Sequence, residues 1–160
     1  MSRLVHWALL AAALGCGLNA GVTFAFSAFV MPALDRLAPA QSIAAMQSMN
    51  KLAPAPPFGP LVGATALACA GLLVWAVVSW GERAAPWIAA GAALFLLGWM
   101  LVTFAGNIPL NDALDSVDPQ AADAAKQWRD YHGDWTPLNH LRTVAALAAT
   151  GLLTVALRVS

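Results

Sequence analysis

Four long apolar segments, three of them free of charged residues, constrain the fold of this chain more than any other feature. The charge-free runs are 7–30, 61–80 and 87–106. A helix needs about 20 apolar residues to cross a hydrocarbon core about 30 Å thick, so each run could span a bilayer. The fourth segment, 137–157, is charged only near its start. We therefore predict an all-α integral membrane protein with four spans.

The composition supports a membrane location and excludes two classes of partner. Hydrophobic residues make up 60% of the chain and charged residues only 10%, against about 25% charged residues in soluble domains. Eight basic residues balance eight acidic ones, and the basic residues form no cluster that would attract nucleic acid or anionic lipid. We predict a single membrane domain, residues 1–160, whose main partner is the lipid bilayer.

Four spans would place both termini on one face of the membrane and the long loops, 31–60 and 107–136, on the other. The predicted architecture is an antiparallel four-helix bundle. Lysines and arginines occur on both faces, so the positive-inside rule favours cytoplasmic termini only weakly.

Proline and capping residues set the expected helix boundaries. Met31-Pro32 and Asn107-Ile108-Pro109 should end the first and third spans, because proline removes a backbone donor and restricts the residue before it. Thr136-Pro137 should begin the fourth span. One short extramembrane helix is expected in each long loop, the first over 39–50 and the second from Asp118-Pro119 to about Tyr131.

Most of the polar chemistry lies between the third and fourth spans, where Trp135, Asn139 and Arg142 follow helical spacing. An arginine near the hydrocarbon edge must reach the headgroups, pair with an acid or line a wet cavity. We expect Arg142 to face the bundle interior and to contact segment 107–112. The alternative is a structural role, in which Arg142 pairs with Asp112 or another aspartate, and Trp128 and Trp135 are interfacial anchors.

Other polar residues could complete a pocket at this end of the bundle. His140 is the best candidate for a proton acceptor near neutral pH. On the first span, small and polar residues recur at every fourth position, a pattern that is typical of helix packing. Asn19 is one of them, and we expect its side chain to face a cavity or a neighbouring helix. The candidate site residues are His140, Arg142, Asn107, Asn111, Asn139, Trp128, Tyr131, Trp135, Asn19 and Asn50.

The sequence contains no recognisable cofactor motif. His6, His132 and His140 lack metal-ligand spacing, and no phosphate loop, nucleophile elbow or haem-attachment motif occurs. Cys16 and Cys69 lie inside apolar spans without a pairing motif. We predict neither a metal nor an organic cofactor, although a haem or metal held by the three histidines stays open.

The chain resembles the anthrone oxygenase-like family of small four-span membrane proteins, and the resemblance covers nearly its whole length. The residues that carry it are Gly21-Val-Thr-Phe-Ala-Phe-Ser27, Val30-Met-Pro-Ala-Leu34, Ala45-Met-Gln with Asn50 and Phe58, Asn107-x-Pro-Leu-Asn111, Trp128, and Trp135-x-x-x-Asn139-x-x-Arg142-Thr143.

This resemblance implies a protein of the bacterial inner membrane that oxidises an anthrone-type phenol to a quinone with dioxygen, using neither metal nor flavin. Such chemistry needs a base, donors for an oxyanion and a water-poor aromatic pocket. The resemblance would make His140 the base, with Arg142, Asn107 and Asn139 holding the oxyanion and Trp128, Tyr131 and Trp135 stacking on the fused rings.

A non-enzymatic interpretation remains beside this one. The same pocket could bind a lipid or a small apolar ligand, or the loop face could dock a partner protein. A homo-oligomer also stays open, because the small residues of the first span permit close contacts between helices.

Overall fold

A computed structural model describes all residues, 1–160, as five helices without any strand. Four of these helices are long and apolar enough to cross a membrane. The prediction of an all-α protein is confirmed, and the helices are compatible with an integral multi-pass membrane protein. The helices are α1 (Arg3–Leu34), α2 (Pro39–Leu52), α3 (Phe58–Val78), α4 (Ala85–Asp115) and α5 (Ala124–Val159).

The prediction that the first and third helices end at their prolines is wrong, because α1 and α4 continue through them. A π-helical turn, Phe26–Val30, precedes Pro32, and a second one, Thr103–Asn107, precedes Pro109. A proline ring clashes with the carbonyl four residues earlier, and the wider π turn relieves that crowding. Each proline then occupies the first turn of a short α-helical extension, where its missing N–H is not needed.

The second extramembrane helix and the separate fourth span are one continuous helix, which corrects two predictions. Asp118 accepts a hydrogen bond from the backbone N–H of Gln120 at 2.9 Å and so caps a turn rather than a helix. Helix α5 begins only at Ala124 and carries Pro137 in its interior. Trp128 and Trp135 are buried on both sides of Tyr131, where the loop helix was expected to end, and this explains why the helix persists, since packing outweighs local propensity.

Two apolar clusters hold the helices together. The larger one joins α1, α3, α4 and α5 through residues such as Leu9, Cys69, Phe95 and Leu153. The smaller one joins the loop-face ends of α1 and α4 to α2 and the start of α5. The loop face is therefore a packed layer and not a set of tethers. The smaller cluster consists of Met31, Leu34, Ile43, Met46, Leu114, Ala124, Trp128, Tyr131 and Trp135.

Close packing of α1 on α3 depends on Gly15. A Cβ atom there would collide with the Thr65 hydroxyl and would lie 3.0 Å from its Cγ2 atom. Gly15→Ala should lower the free energy of unfolding by about 1–3 kcal/mol, the usual cost of overpacking. Gly21→Ala is the matched control, because Gly21 of the same helix has open space around it. Thermal unfolding in detergent would contradict the account if both substitutions had the same effect.

Candidate functional site

A difference in helix length creates a cavity at the loop-face end of the bundle. Helix α3 has 21 residues, whereas α1, α4 and α5 have 32, 31 and 36. Gly15 of α1 packs against Thr65, so α3 begins only about two turns beyond that contact while α1 continues to Leu34. The space left beyond the start of α3 is not filled by another spanning helix.

This cavity has a volume of about 500 Å³, within the range of small-molecule sites. All five helices contribute to its lining, and α2 provides Met46, Met49 and Asn50. Most of the wall is apolar or aromatic. The polar side chains that line it are Thr23, Asn50, Thr103, Asn111, Asp112, Asp115 and Arg142.

Arg142 reaches the cavity from α5 and has no acidic partner. Its Nε donates to Asn139 Oδ1 at 3.0 Å and its Nη1 donates to Thr103 Oγ1 at 3.2 Å. Neither ion pair of the protein involves it, since they join Met1 to Glu82 and Lys126 to Asp130. The expected contact with segment 107–112 is therefore replaced by one with Thr103, about one turn earlier on α4.

Two tryptophans enclose this unpaired charge. The guanidinium carbon lies 5.1 Å from the ring centroid of Trp135 and 5.8 Å from that of Trp99. Cation–π contacts of this kind stabilise a desolvated cation by about 2 kcal/mol, which is less than the several kcal/mol that removal from water costs. Two of the five guanidinium N–H groups are occupied, so the others can bind an anionic ligand.

Asn111 is a second hydrogen-bond donor at the cavity wall. Its Oδ1 accepts from the indole N–H of Trp135 at 2.8 Å and from the hydroxyl of Tyr131 at 2.9 Å. An indole nitrogen can only donate, so these contacts define which end of the amide is the oxygen. The amide NH₂ has no partner in the protein and remains available to a ligand.

Asn111→Ala should destabilise the protein by at least about 2 kcal/mol, because the donors of Trp135 and Tyr131 would both lose their acceptor. Asn50→Ala is the control, since the hydrogen bond from Asn50 to Asp115 is exposed and its loss should change stability by about 1 kcal/mol or less, below the effect of Asn111→Ala. Thermal unfolding measures both. Equal effects would show that the Asn111 hydrogen bonds do not stabilise the fold.

Three predicted site asparagines are buried and do not line the cavity. Asn139 donates to the Thr23 carbonyl at 2.8 Å and to Ser27 Oγ at 2.7 Å, and its oxygen holds Arg142. Asn107 donates to the carbonyl of Trp135 at 3.3 Å. Asn19 faces α3, where it donates to Thr65 Oγ1 at 3.4 Å, and it also donates to the Gly15 carbonyl of its own helix at 2.9 Å. Asn139 thus positions Arg142, and the other two join helices.

His140 lies outside the cavity. Its ring is exposed, and Nδ1 pairs with Ser27 Oγ at 2.7 Å. Trp128 also lies outside and donates to Asp35 Oδ1 at 3.0 Å, which ties α5 to the end of α1. Of the three aromatic residues predicted to stack on a substrate, only Trp135 lines the cavity.

Two functional candidates were missed by the sequence reasoning. Asp115 lines the cavity with Asp112, and both belong to the part of α4 beyond Pro109, which was predicted to be a loop. Trp99 is 2% exposed, lines the cavity and has an indole N–H without an acceptor. Asp112 and Asp115 are three residues apart, so they share one face of a helix and could have been predicted as a pair once the helix was known to continue. Nothing in the sequence distinguished Trp99 from neighbouring apolar residues.

The histidines do not form a common site. His6 lies against Trp7 near the start of α1, His132 lies against Trp128, and His140 contacts Ser27. No three His, Cys, Asp or Glu side chains in the protein come together in a group that could hold a metal ion. Cys16 and Cys69 are buried between α1 and α3, with 3.9 Å between their sulfur atoms.

Together these features define an all-helical protein, compatible with a multi-pass membrane location, whose aromatic cavity at one end holds an arginine without an acidic partner. A family model described as anthrone oxygenase matches residues 54–152, well over half of the chain. The protein therefore belongs to the anthrone oxygenase family, as the resemblance predicted. Neither the curated proteins nor the solved structures include a match to it.

Proposed function

We propose that this protein is a membrane oxygenase that oxidises a hydroxylated polycyclic aromatic compound of the anthrone type with dioxygen. Family membership supports the reaction class. The single observation that carries the proposal is the unpaired Arg142 at the wall of an apolar, aromatic cavity. Such a charge stabilises an oxyanion most strongly where water is excluded.

The reaction balances without an external reductant. A base removes one proton from the methylene carbon of the anthrone and leaves an enolate. The enolate carbon bonds to one atom of dioxygen, and the resulting peroxide takes up a proton. Loss of the second methylene hydrogen with cleavage of the O–O bond gives the quinone carbonyl and water. The methylene carbon supplies all four electrons, so the proposed mechanism uses no metal and no organic cofactor.

Different residues of the cavity would bind different parts of the substrate during this reaction. Arg142 and the NH₂ group of Asn111 would hold the enolate oxygen. Trp99 and Trp135 would lie beside the fused rings, which offer them large apolar faces. This arrangement retains the predicted role of Arg142 and transfers the stacking role of Tyr131 and Trp128 to Trp99.

The base is reassigned from His140 to Asp112. A general base must come within hydrogen-bond reach of the proton that it removes, and His140 does not line the cavity. The only carboxylates that do are Asp112 and Asp115, and Asp115 already accepts a hydrogen bond from Asn50 at 3.2 Å. Asp112 is therefore the proposed proton acceptor.

Oxygen uptake by the purified protein in lipid nanodiscs tests the proposal. Anthrone should be consumed with dioxygen in equal amounts, faster than in nanodiscs without protein. An anthrone whose methylene carbon carries two methyl groups is the matched control, because it fits the same rings but cannot form the enolate. Uptake at the protein-free rate would contradict the proposal. A stoichiometric haem or copper in active protein would overturn the cofactor-free mechanism and make His6, His132 and His140 candidate ligands.

A further inference from the structure

The cavity has an apolar side that reaches the outer surface of the bundle. Phe104 of α4 and Val22 of α1 both line it, and they are 60% and 37% exposed. Phe104 follows Thr103, which is hydrogen-bonded to Arg142. An apolar molecule could therefore extend from the guanidinium to the surface that faces the acyl chains.

Arg142 lies at a depth where the head of a membrane amphiphile can meet it. The uncharged part of α5, from Thr143 to Leu157, measures about 22 Å at 1.5 Å per residue. The hydrocarbon core is about 30 Å thick, so Arg142 lies inside it but close to the loop-face boundary. The aspartates of the cavity belong to the next turns of α4, towards that boundary.

The chemistry of the site favours a carboxylate with one chain. The guanidinium has free N–H groups and no counter-ion, and its planar fork pairs with a carboxylate through two parallel hydrogen bonds. The apolar side at Phe104 next to the one cation of the lining matches an amphiphile with one head and one tail. A phospholipid, by contrast, would bring a second tail to the same opening. Asp112 and Asp115 also line the cavity but lie further along α4 than Thr103, towards the loop face.

We propose that a free fatty acid binds in this cavity, with its carboxylate on Arg142 and its chain passing Phe104 into the bilayer. This ligand neutralises the unpaired charge when no substrate is bound. The inference does not depend on the proposed oxygenase activity. If the protein is also an oxygenase, the fatty acid competes for the same cation and raises KM without lowering kcat.

Wild-type protein in phosphatidylcholine nanodiscs provides the first test, with laurate as the probe and methyl laurate as the control. The two molecules share a chain, and only laurate carries a charge. We expect laurate to give a saturable rise in the thermal unfolding midpoint and a change in tryptophan fluorescence, because Trp99 and Trp135 flank Arg142. Equal responses to acid and ester would overturn the proposal, as would no response to laurate.

Substitutions then show which arginine binds the carboxylate of laurate. Arg142→Gln should abolish the difference between laurate and its ester, whereas Arg158→Gln, at the far end of α5, should preserve it. A laurate response that survives Arg142→Gln would overturn the assignment. Phosphatidylglycerol that raises the wild-type midpoint as much as laurate would overturn the preference for a fatty acid. If Arg142→Gln does not fold, the comparison of acid with ester in wild-type protein still decides the outcome.

Discussion

Arg142→Gln is expected to lower kcat/KM for anthrone oxidation by about 10²- to 10³-fold, the usual cost of losing one oxyanion donor. The guanidinium lies between Trp99 and Trp135 without a counter-ion, so its charge is available to a developing enolate. Glutamine keeps much of the side-chain length and some donor capacity but removes the charge. Steady-state oxygen uptake in nanodiscs measures the effect.

Arg36→Gln is the matched control for this prediction, because Arg36 is an exposed arginine beyond the end of α1 and outside the cavity. Its activity should equal that of the wild type. A folded Arg142→Gln protein with wild-type kcat/KM would show that the oxyanion is held elsewhere. The thermal unfolding midpoint of each variant separates loss of activity from loss of structure.

Asp112→Asn is expected to lower kcat by about 10²- to 10⁴-fold, the contribution that general bases make. The amide is similar in shape to the carboxylate but cannot accept the methylene proton. Asp130→Asn makes the same chemical change at an exposed position where the carboxylate pairs with Lys126, and it should leave kcat unchanged. Stopped-flow formation of the enolate, followed without oxygen, reports on the proton transfer alone.

His140→Ala distinguishes the two candidate bases. His140 is exposed and does not line the cavity, so its loss should leave kcat within about two-fold of wild type, far below the effect of losing a general base. A loss as large as that expected for Asp112→Asn would restore His140 as the base. That outcome would require substrate to bind on the Ser27 side of α5 and not in the cavity.

The four long apolar helices were predictable because bilayer thickness imposes a minimum length on any apolar helix that crosses it. Helix boundaries were harder to predict, and prolines account for most of the errors. Pro32 and Pro109 follow π-helical turns that relieve their steric clash, and Pro137 lies in a helix whose preceding turns are fixed by buried aromatic residues. Proline rules describe local geometry, whereas these three positions are decided by packing between helices.

The inward position of Arg142 in the candidate site was predictable from the sequence, whereas the shape of the cavity was not. Arg142 was expected to face the interior because lipid excludes an unpaired charge, and it lines the cavity. Its partners were not predictable, since Thr103 and Trp99 lie in an apolar segment with no distinguishing pattern. The cavity itself results from the short α3, and this became visible only once the other three helices proved to be longer.

The fate of dioxygen is the decisive observation, because the proposed reaction requires oxygen to react with the enolate held on Arg142. Wild-type protein and the Arg142→Gln variant would be supplied with anthrone and dioxygen enriched in its heavy isotope, with mass spectrometry of the quinone. We expect one labelled oxygen atom in each new quinone carbonyl, formed by the wild type well above the protein-free rate and by the variant close to that rate. A new carbonyl oxygen that comes from water, or equal rates for both proteins, would contradict this expectation.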